Sequence, residues 1–325
     1  MVACALAALG ASAPAGARVA AASVALAPPT AAEETPSPGA ASASPRQIGY
    51  PRAIPQLQTA AEMGRALQWA RLPEGGAVAA VSVKSPGAAA LRVGIRVGEI
   101  APTAVLRFYG PRDLIPHELP GESLLAALER NRNAGESGAD ARTYWSPVVA
   151  GESIVIEVEV RSEGDRAALA LTAPLLSHLT EAPDALAAGG AAAVFTTVGE
   201  TYACPASLVV PTAGLQRAGL QSAGTTPPAA YLVTSAGCAA SQAAASTLEA
   251  FWRPGEATNA SGVGAALLYC SAQTDTALLV LDAPPRNAAS LAHAPSPGMD
   301  PALEQWLGSA VTARAANAAR AFSLP

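Results

Sequence analysis

Aromatic residues and charges are both scarce in this chain. Phe, Trp and Tyr make up 4% of the 325 residues, and Asp, Glu, Lys and Arg only 14%. The hydrophobic fraction is 50%, but much of it is alanine, whose methyl group buries little area; the composition therefore predicts a thin core per residue. The net charge is −5, with no block of Lys or Arg. Phosphate backbones are gripped by clustered cations, so nucleic acid is not expected as a partner. The four cysteines, Cys4, Cys204, Cys238 and Cys270, form no C-x-x-C pair, and the three histidines do not fall beside them at zinc spacing. No metal site or cofactor is expected. Arg18 interrupts the first apolar run short of the ~20 residues that span a bilayer, so no transmembrane segment is expected.

What is present divides the chain into five stretches. Residues 1–19 are small and apolar through Ala15-Gly-Ala17, like the apolar stretch and cleavage region of an export signal without its basic leading segment. Cys4, after Val2-Ala3, admits a second reading as a lipoprotein acylation site. Residues 20–54 are rich in Ala, Pro, Ser, Thr and Gly and read as a disordered linker. Residues 55–185 read as a β domain. Leu91, Val93, Ile95 and Val97 alternate with Arg92 and Arg96, and Ile154, Ile156, Val158 and Val160 alternate with Glu157 and Glu159. Such period-2 patterning predicts an antiparallel sandwich with one solvated face. Residues 78–83 and 104–109 are further strand candidates, and Ser123 is placed to cap a helix from Leu124 to Asn131. In the tail, 291–325, Asp300-Pro-Ala-Leu-Glu-Gln-Trp-Leu307 has the cap and apolar spacing of a helix start.

The remaining stretch, residues 186–290, carries the motifs. The run Tyr231-Leu-Val-Thr-Ser-Ala-Gly237-Cys238 follows Val194-Phe-Thr-Thr-Val-Gly-Glu-Thr-Tyr202-Ala-Cys204 and precedes Ser246-Thr-Leu-Glu-Ala-Phe-Trp252 and Asp275-Thr-Ala-Leu-Leu-Val-Leu281. Their order and spacing resemble the first β-barrel of the chymotrypsin/trypsin-like serine peptidases, in the secreted bacterial lysyl-endopeptidase-like group. Arg142-Thr-Tyr-Trp145 and the Leu91 strand resemble the β domain that precedes the peptidase in such proteins. The resemblance implies an all-β fold: an N-terminal sandwich-like domain, then a single chymotrypsin-like barrel half, with a C-terminal helix. Cys204 and Cys238 lie 34 residues apart at the edges of apolar runs, as two separate buried thiols or a disulfide would; the resemblance favours the disulfide. The state of Cys270 stays open.

Within that resemblance the residue that does the chemistry is missing. The family's strand ends in Thr-Ala-Ala-His-Cys, whose imidazole takes the proton of the attacking serine. Here Gly237 stands in the place of the His, and a glycine accepts no proton. Asp275 occupies the position of the aspartate that orients the base, and is expected to be vestigial. None of the other histidines is a suitable substitute: His117 lies in a Pro-flanked loop, His178 reads as a hydrogen-bonded core or linker residue, and His293 follows Asp275 in a Pro/Ala-rich stretch. Gly135-Glu-Ser137-Gly138 imitates a nucleophile segment, but it precedes the barrel and reads as a turn. Ser309 lacks a glycine-rich elbow. Only 40 residues follow Pro285, so the serine-bearing barrel is expected to be absent.

These readings predict a non-catalytic serine-peptidase homologue, secreted, periplasmic or at the cell surface, with protein or peptide as its partner. The alternatives are the remnant of a frameshifted secreted endopeptidase gene, or a surface lipoprotein.

Overall fold

The computed structural model describes residues 19–30, 33, 45–182, 185, 192–209, 230–252 and 260–282. Cys4, His293, Ser309, the signal-like start and the predicted helical tail lie outside these residues. The described chain forms two β units with separate cores.

The first unit contains β1 (Ala22–Ala25), β2 (Arg46–Ala53), α1 (Ala60–Ala66), β3 (Ala70–Arg71), β4 (Ala77–Lys84), β5 (Ala90–Glu99), β6 (Val105–Tyr109) and β7 (His117–Pro120). It continues through α2 (Gly121–Asn133), β8 (Thr143–Trp145), β9 (Val149–Ala150), β10 (Ser153–Val160), α3 (Glu163–Ala168) and β11 (Ala170–Leu179). One sheet runs β1-β4-β10-β6-β7, with β3 on the edge of β4; the facing layer places β11 between β2 and β5, with β8 and β9 on β5. The alternating residues meet between the layers as predicted: Leu91, Val93 and Ile95 pack with Ile154, Ile156, Val158, Leu106 and Phe108. The helix begins at Gly121, after Pro120, rather than at a Ser123 cap. A Cβ on Gly121 would lie 2.3 Å from the Ala101 carbonyl oxygen, so this tight first turn needs the glycine.

Three expectations are corrected here. The stretch read as a disordered linker contains β1 and β2: Ala22–Ala25 pair in parallel with Val81–Lys84, inside a sheet expected to be wholly antiparallel. Composition misleads because so short a strand gains its order from the sheet edge it joins rather than from its own apolar content. The polar faces of the strands are also not solvated. Arg92 is fully buried, and Glu157 likewise. Val19 and Ala21 pack with Ala80, Tyr109 and Val155 on the outer face of the first sheet, and the second unit covers Arg92.

The second unit contains β12 (Ala192–Thr197), β13 (Glu200–Val209), β14 (Tyr231–Thr234), α4 (Gln242–Ser246), β15 (Glu249–Trp252), β16 (Ala260–Val263), β17 (Ala265–Ser271) and β18 (Thr276–Leu281). β12 pairs with β13, β13 with β14, β14 with β18, β18 with β17, β16 with β15, and β15 back with β12. Since β16 runs into β17 through Gly264 alone, the strands close into a six-membered antiparallel barrel circuit. Gly264 makes the corner at φ +78, and a Cβ there would lie 2.5 Å from Asp282 Oδ2. Half of the fourteen residues in this core, among those described, are alanines. The thin core that composition predicts is therefore found in the barrel, while the sandwich core is built mainly of Val, Ile and Leu.

The two units share a sheet. β13 hydrogen-bonds to β2 through Thr201↔Gly49, Tyr202↔Gln47 and Ala203↔Arg46, so a single twelve-stranded sheet runs from the sandwich into the barrel.

Candidate functional site

The register of two barrel strands brings Gly237 and Asp275 together. β14 and β18 pair antiparallel with Thr234 opposite Ala277. The residues that leave β14 after Thr234 therefore lie beside those that enter β18 before Ala277. Ser235 donates its hydroxyl hydrogen to Asp275 Oδ1 at 2.7 Å, and the Gly237 N–H reaches Ser235 Oγ at 3.2 Å and Asp275 Oδ1 at 3.4 Å. The Ser235 hydroxyl, reinforced by the backbone N–H groups of Gly237 and Ala236, holds the Asp275 carboxyl below its ordinary range. Asp275 itself adopts φ +45 at the end of the β17–β18 turn, a left-handed conformation that short polar side chains tolerate better than others.

Cys238, directly after Gly237, is bonded to Cys204 of β13 in a disulfide, with both residues buried in the barrel core. It fixes the loop behind β14 against the neighbouring strand. Cys270 is free and exposed on β17.

Position 237 is exposed and sterically open. A Cβ built there would have Ser235 Oγ at 3.6 Å and Pro45 Cδ at 3.8 Å as its nearest neighbours, both at ordinary contact distance. Gly237 is not among the residues at positive φ, so neither the backbone nor the surroundings require a glycine. No side chain at 237 is available to take a proton, and Ser235 already serves one oxygen of Asp275.

The other predicted residues lie elsewhere. His117 is on β7, at the edge of the first sheet. His178 is buried in β11, as expected for a core residue: its Nδ1 is 2.8 Å from Ser85 Oγ and its ring stacks on Tyr50 at 4.7 Å between centroids. This Ser–His pair superficially resembles a nucleophile and its base. However, Ser85 is fully buried and also accepts a hydrogen bond from Arg52 Nη1 at 2.8 Å, so no substrate reaches it. Ser137 is exposed in the turn after α2, in line with the sequence reading. Among the described residues, no three His, Cys, Asp or Glu side chains are grouped to hold a metal ion, and no helix is long and apolar enough to cross a membrane.

Two features, one at the site and one at the junction of the two units, escaped the sequence reading. Ser235 stands where the family pattern has alanine, and that replacement was the available signal for a new partner of Asp275. The buried pair of Arg92 on β5 and Glu249 on β15 had no local signal, because its members are 157 positions apart and meet only when the two units dock.

The model of the lysyl endopeptidase N-terminal domain family matches residues 13–180, more than half of the chain. The lysyl endopeptidase of Pseudomonas aeruginosa is 25% identical over 305 residues, an alignment covering 78% of this chain and 58% of that protein. The chain thus spans well under two thirds of that relative's length. No solved structure matches. The matched region contains the sandwich, and this chain belongs to the lysyl endopeptidase N-terminal domain family.

Proposed function

We propose that this chain is a trypsin-like serine-peptidase relative that does not hydrolyse peptide bonds, and that its barrel serves as a binding or structural module outside the cytoplasm. The observation that carries the reading is the arrangement at 235–237 and 275. The carboxylate expected to orient a base is held instead by a serine hydroxyl and backbone N–H groups, and the residue in the base's position has no side chain. General-base catalysis supplies typically 10²–10⁴ in rate, and a serine hydroxyl near neutral pH has negligible nucleophilicity without it. The disulfide supports an oxidising, extracytoplasmic location, and its partner is expected to be protein or peptide.

The test is hydrolysis of lysine-containing peptide substrates by the purified chain. The reading predicts no turnover above that of a Cys204→Ala, Cys238→Ala control. Turnover that is lost on Asp275→Asn would overturn it.

A further inference from the structure

The junction between the sandwich and the barrel contains an ionisable pair that the site at 237 does not use. Arg92 projects from β5 and is fully buried. Its Nε donates to the Ser146 carbonyl at 2.7 Å, its Nη1 to Thr196 Oγ1 of β12 at 2.8 Å, and its Nη2 to the Thr247 carbonyl at 2.7 Å. Two of those three acceptors belong to the barrel, so a sandwich side chain stitches the units together through neutral oxygens. Glu249 of β15 is buried in the same junction and accepts a hydrogen bond from the Val148 N–H at 2.5 Å. The two charges sense each other, yet no direct ion pair joins them. An apolar cluster of Ile48, Ala90 and Leu179 from the sandwich with Val194 and Phe251 from the barrel accompanies the pair.

We propose that Arg92 and Glu249 make this junction a pH-responsive latch, which holds the sandwich on the barrel more tightly at mildly acidic pH than above neutrality. When Glu249 is protonated, it is a neutral buried acid and Arg92 keeps its three neutral acceptors. When Glu249 ionises, a carboxylate whose one donor among the described residues is the Val148 N–H is held away from water, a cost that the Arg92 guanidinium, not in direct contact with it, offsets only in part. Among the described residues, the groups facing Glu249 are few. β5 brings Arg92, and the neighbouring β8 brings Tyr144, whose phenol is pushed up by burial and stays neutral. β12, β16 and α4 bring no titratable side chain. At the margin Asp282 is ion-paired with Arg130 of α2.

Burial pushes the Glu249 carboxyl up to about 7, from an ordinary value of 4.5, against the pull of Arg92 and the Val148 N–H. The undocked junction exposes this carboxyl, so between those two values the docked state holds a proton that the undocked state has released. Stability from this group is therefore fully present below 4.5 and is lost as the pH rises to about 7. The opening equilibrium is expected to shift by on the order of a hundredfold between pH 5 and pH 8.5.

Hydrogen exchange on the full chain, corrected for the intrinsic pH dependence of exchange, measures this opening. The amides to follow are Val148, whose N–H donates to Glu249 across the junction, and those of the β2–β13 ladder that joins the two units. Their protection is expected to fall about a hundredfold from pH 5 to pH 8.5, while Ile156 within the sandwich stays protected. Glu249→Gln should make the junction's protection independent of pH over that range, and Asp282→Asn should leave the wild-type dependence in place. Equal pH dependence in wild type and Glu249→Gln, or protection that rises with pH, would overturn the proposal. Should the Gln variant not fold, titration of the Glu249 side-chain carboxyl by carbon-13 NMR in the unaltered protein decides: a midpoint near 7 supports the latch, and one below 5 refutes it.

Discussion

The open space at Gly237 separates what the fold needs from what catalysis needs. Nothing within 3.6 Å would obstruct a Cβ there, and the backbone is outside the left-handed region. Gly237→Ala is expected to stabilise the protein by about 0.5–1 kcal/mol through the entropy of the unfolded chain, which chemical denaturation measures. Loss of stability instead would mean that the glycine is required by the fold. The partner of Asp275 can be tested at the same scale. Ser235→Ala removes the hydroxyl that holds the Asp275 carboxyl low, so the carboxyl's midpoint should rise toward its ordinary value in an NMR titration. The sequence marked Gly237 and Asp275 through the family motif, and the structure places them side by side. The Ser235 hydroxyl on the Asp275 carboxylate was not legible, because a serine in a Thr-Ser-Ala-Gly run gives no sign of where its Oγ points.

Among the elements, the strands with clean alternation were the easiest to read. β5 and β10 fall on the alternating segments, because a two-residue period survives any choice of tertiary partner; β4 and β6 fall on the further strand candidates, and β18 on a segment marked by the family resemblance. The cover over their second face could not be read. Arg92 and Glu157 have the positions of solvated charges, yet both are buried, Arg92 against the barrel and Glu157 beside Arg107 and Tyr109 of the adjacent strand. Arg107 of β6 meets Glu157 at 3.0 Å, Glu159 at 2.8 Å and Glu118 at 2.6 Å. Arg107→Leu would remove the cation that faces the buried Glu157 carboxylate and should cost about 3 kcal/mol. A variant as stable as wild type in urea would show that this face is wetter than the packing implies. β1 and α4 were missed for a related reason: each is only four or five residues long and takes its order from neighbours distant in sequence.

In the whole molecule, two units of unequal core quality share one sheet. The barrel, with alanine at half of its described core positions, relies on its staple and on the sandwich. The Cys204–Cys238 disulfide closes a loop of 34 residues, which corresponds to about 3–4 kcal/mol in the chain-entropy account. Reduction should therefore unfold the barrel at a lower temperature than the sandwich, seen as two separate thermal transitions where the oxidised protein shows one. A single unchanged transition would mean that the disulfide contributes little. The central proposal, a barrel without hydrolytic activity, is tested most directly by exposing the oxidised, folded chain to a fluorophosphonate probe and mapping any labelled residue by mass spectrometry. The account predicts no serine labelled above the level of heat-denatured protein. Stoichiometric labelling of one serine, abolished by Asp275→Asn, would contradict it.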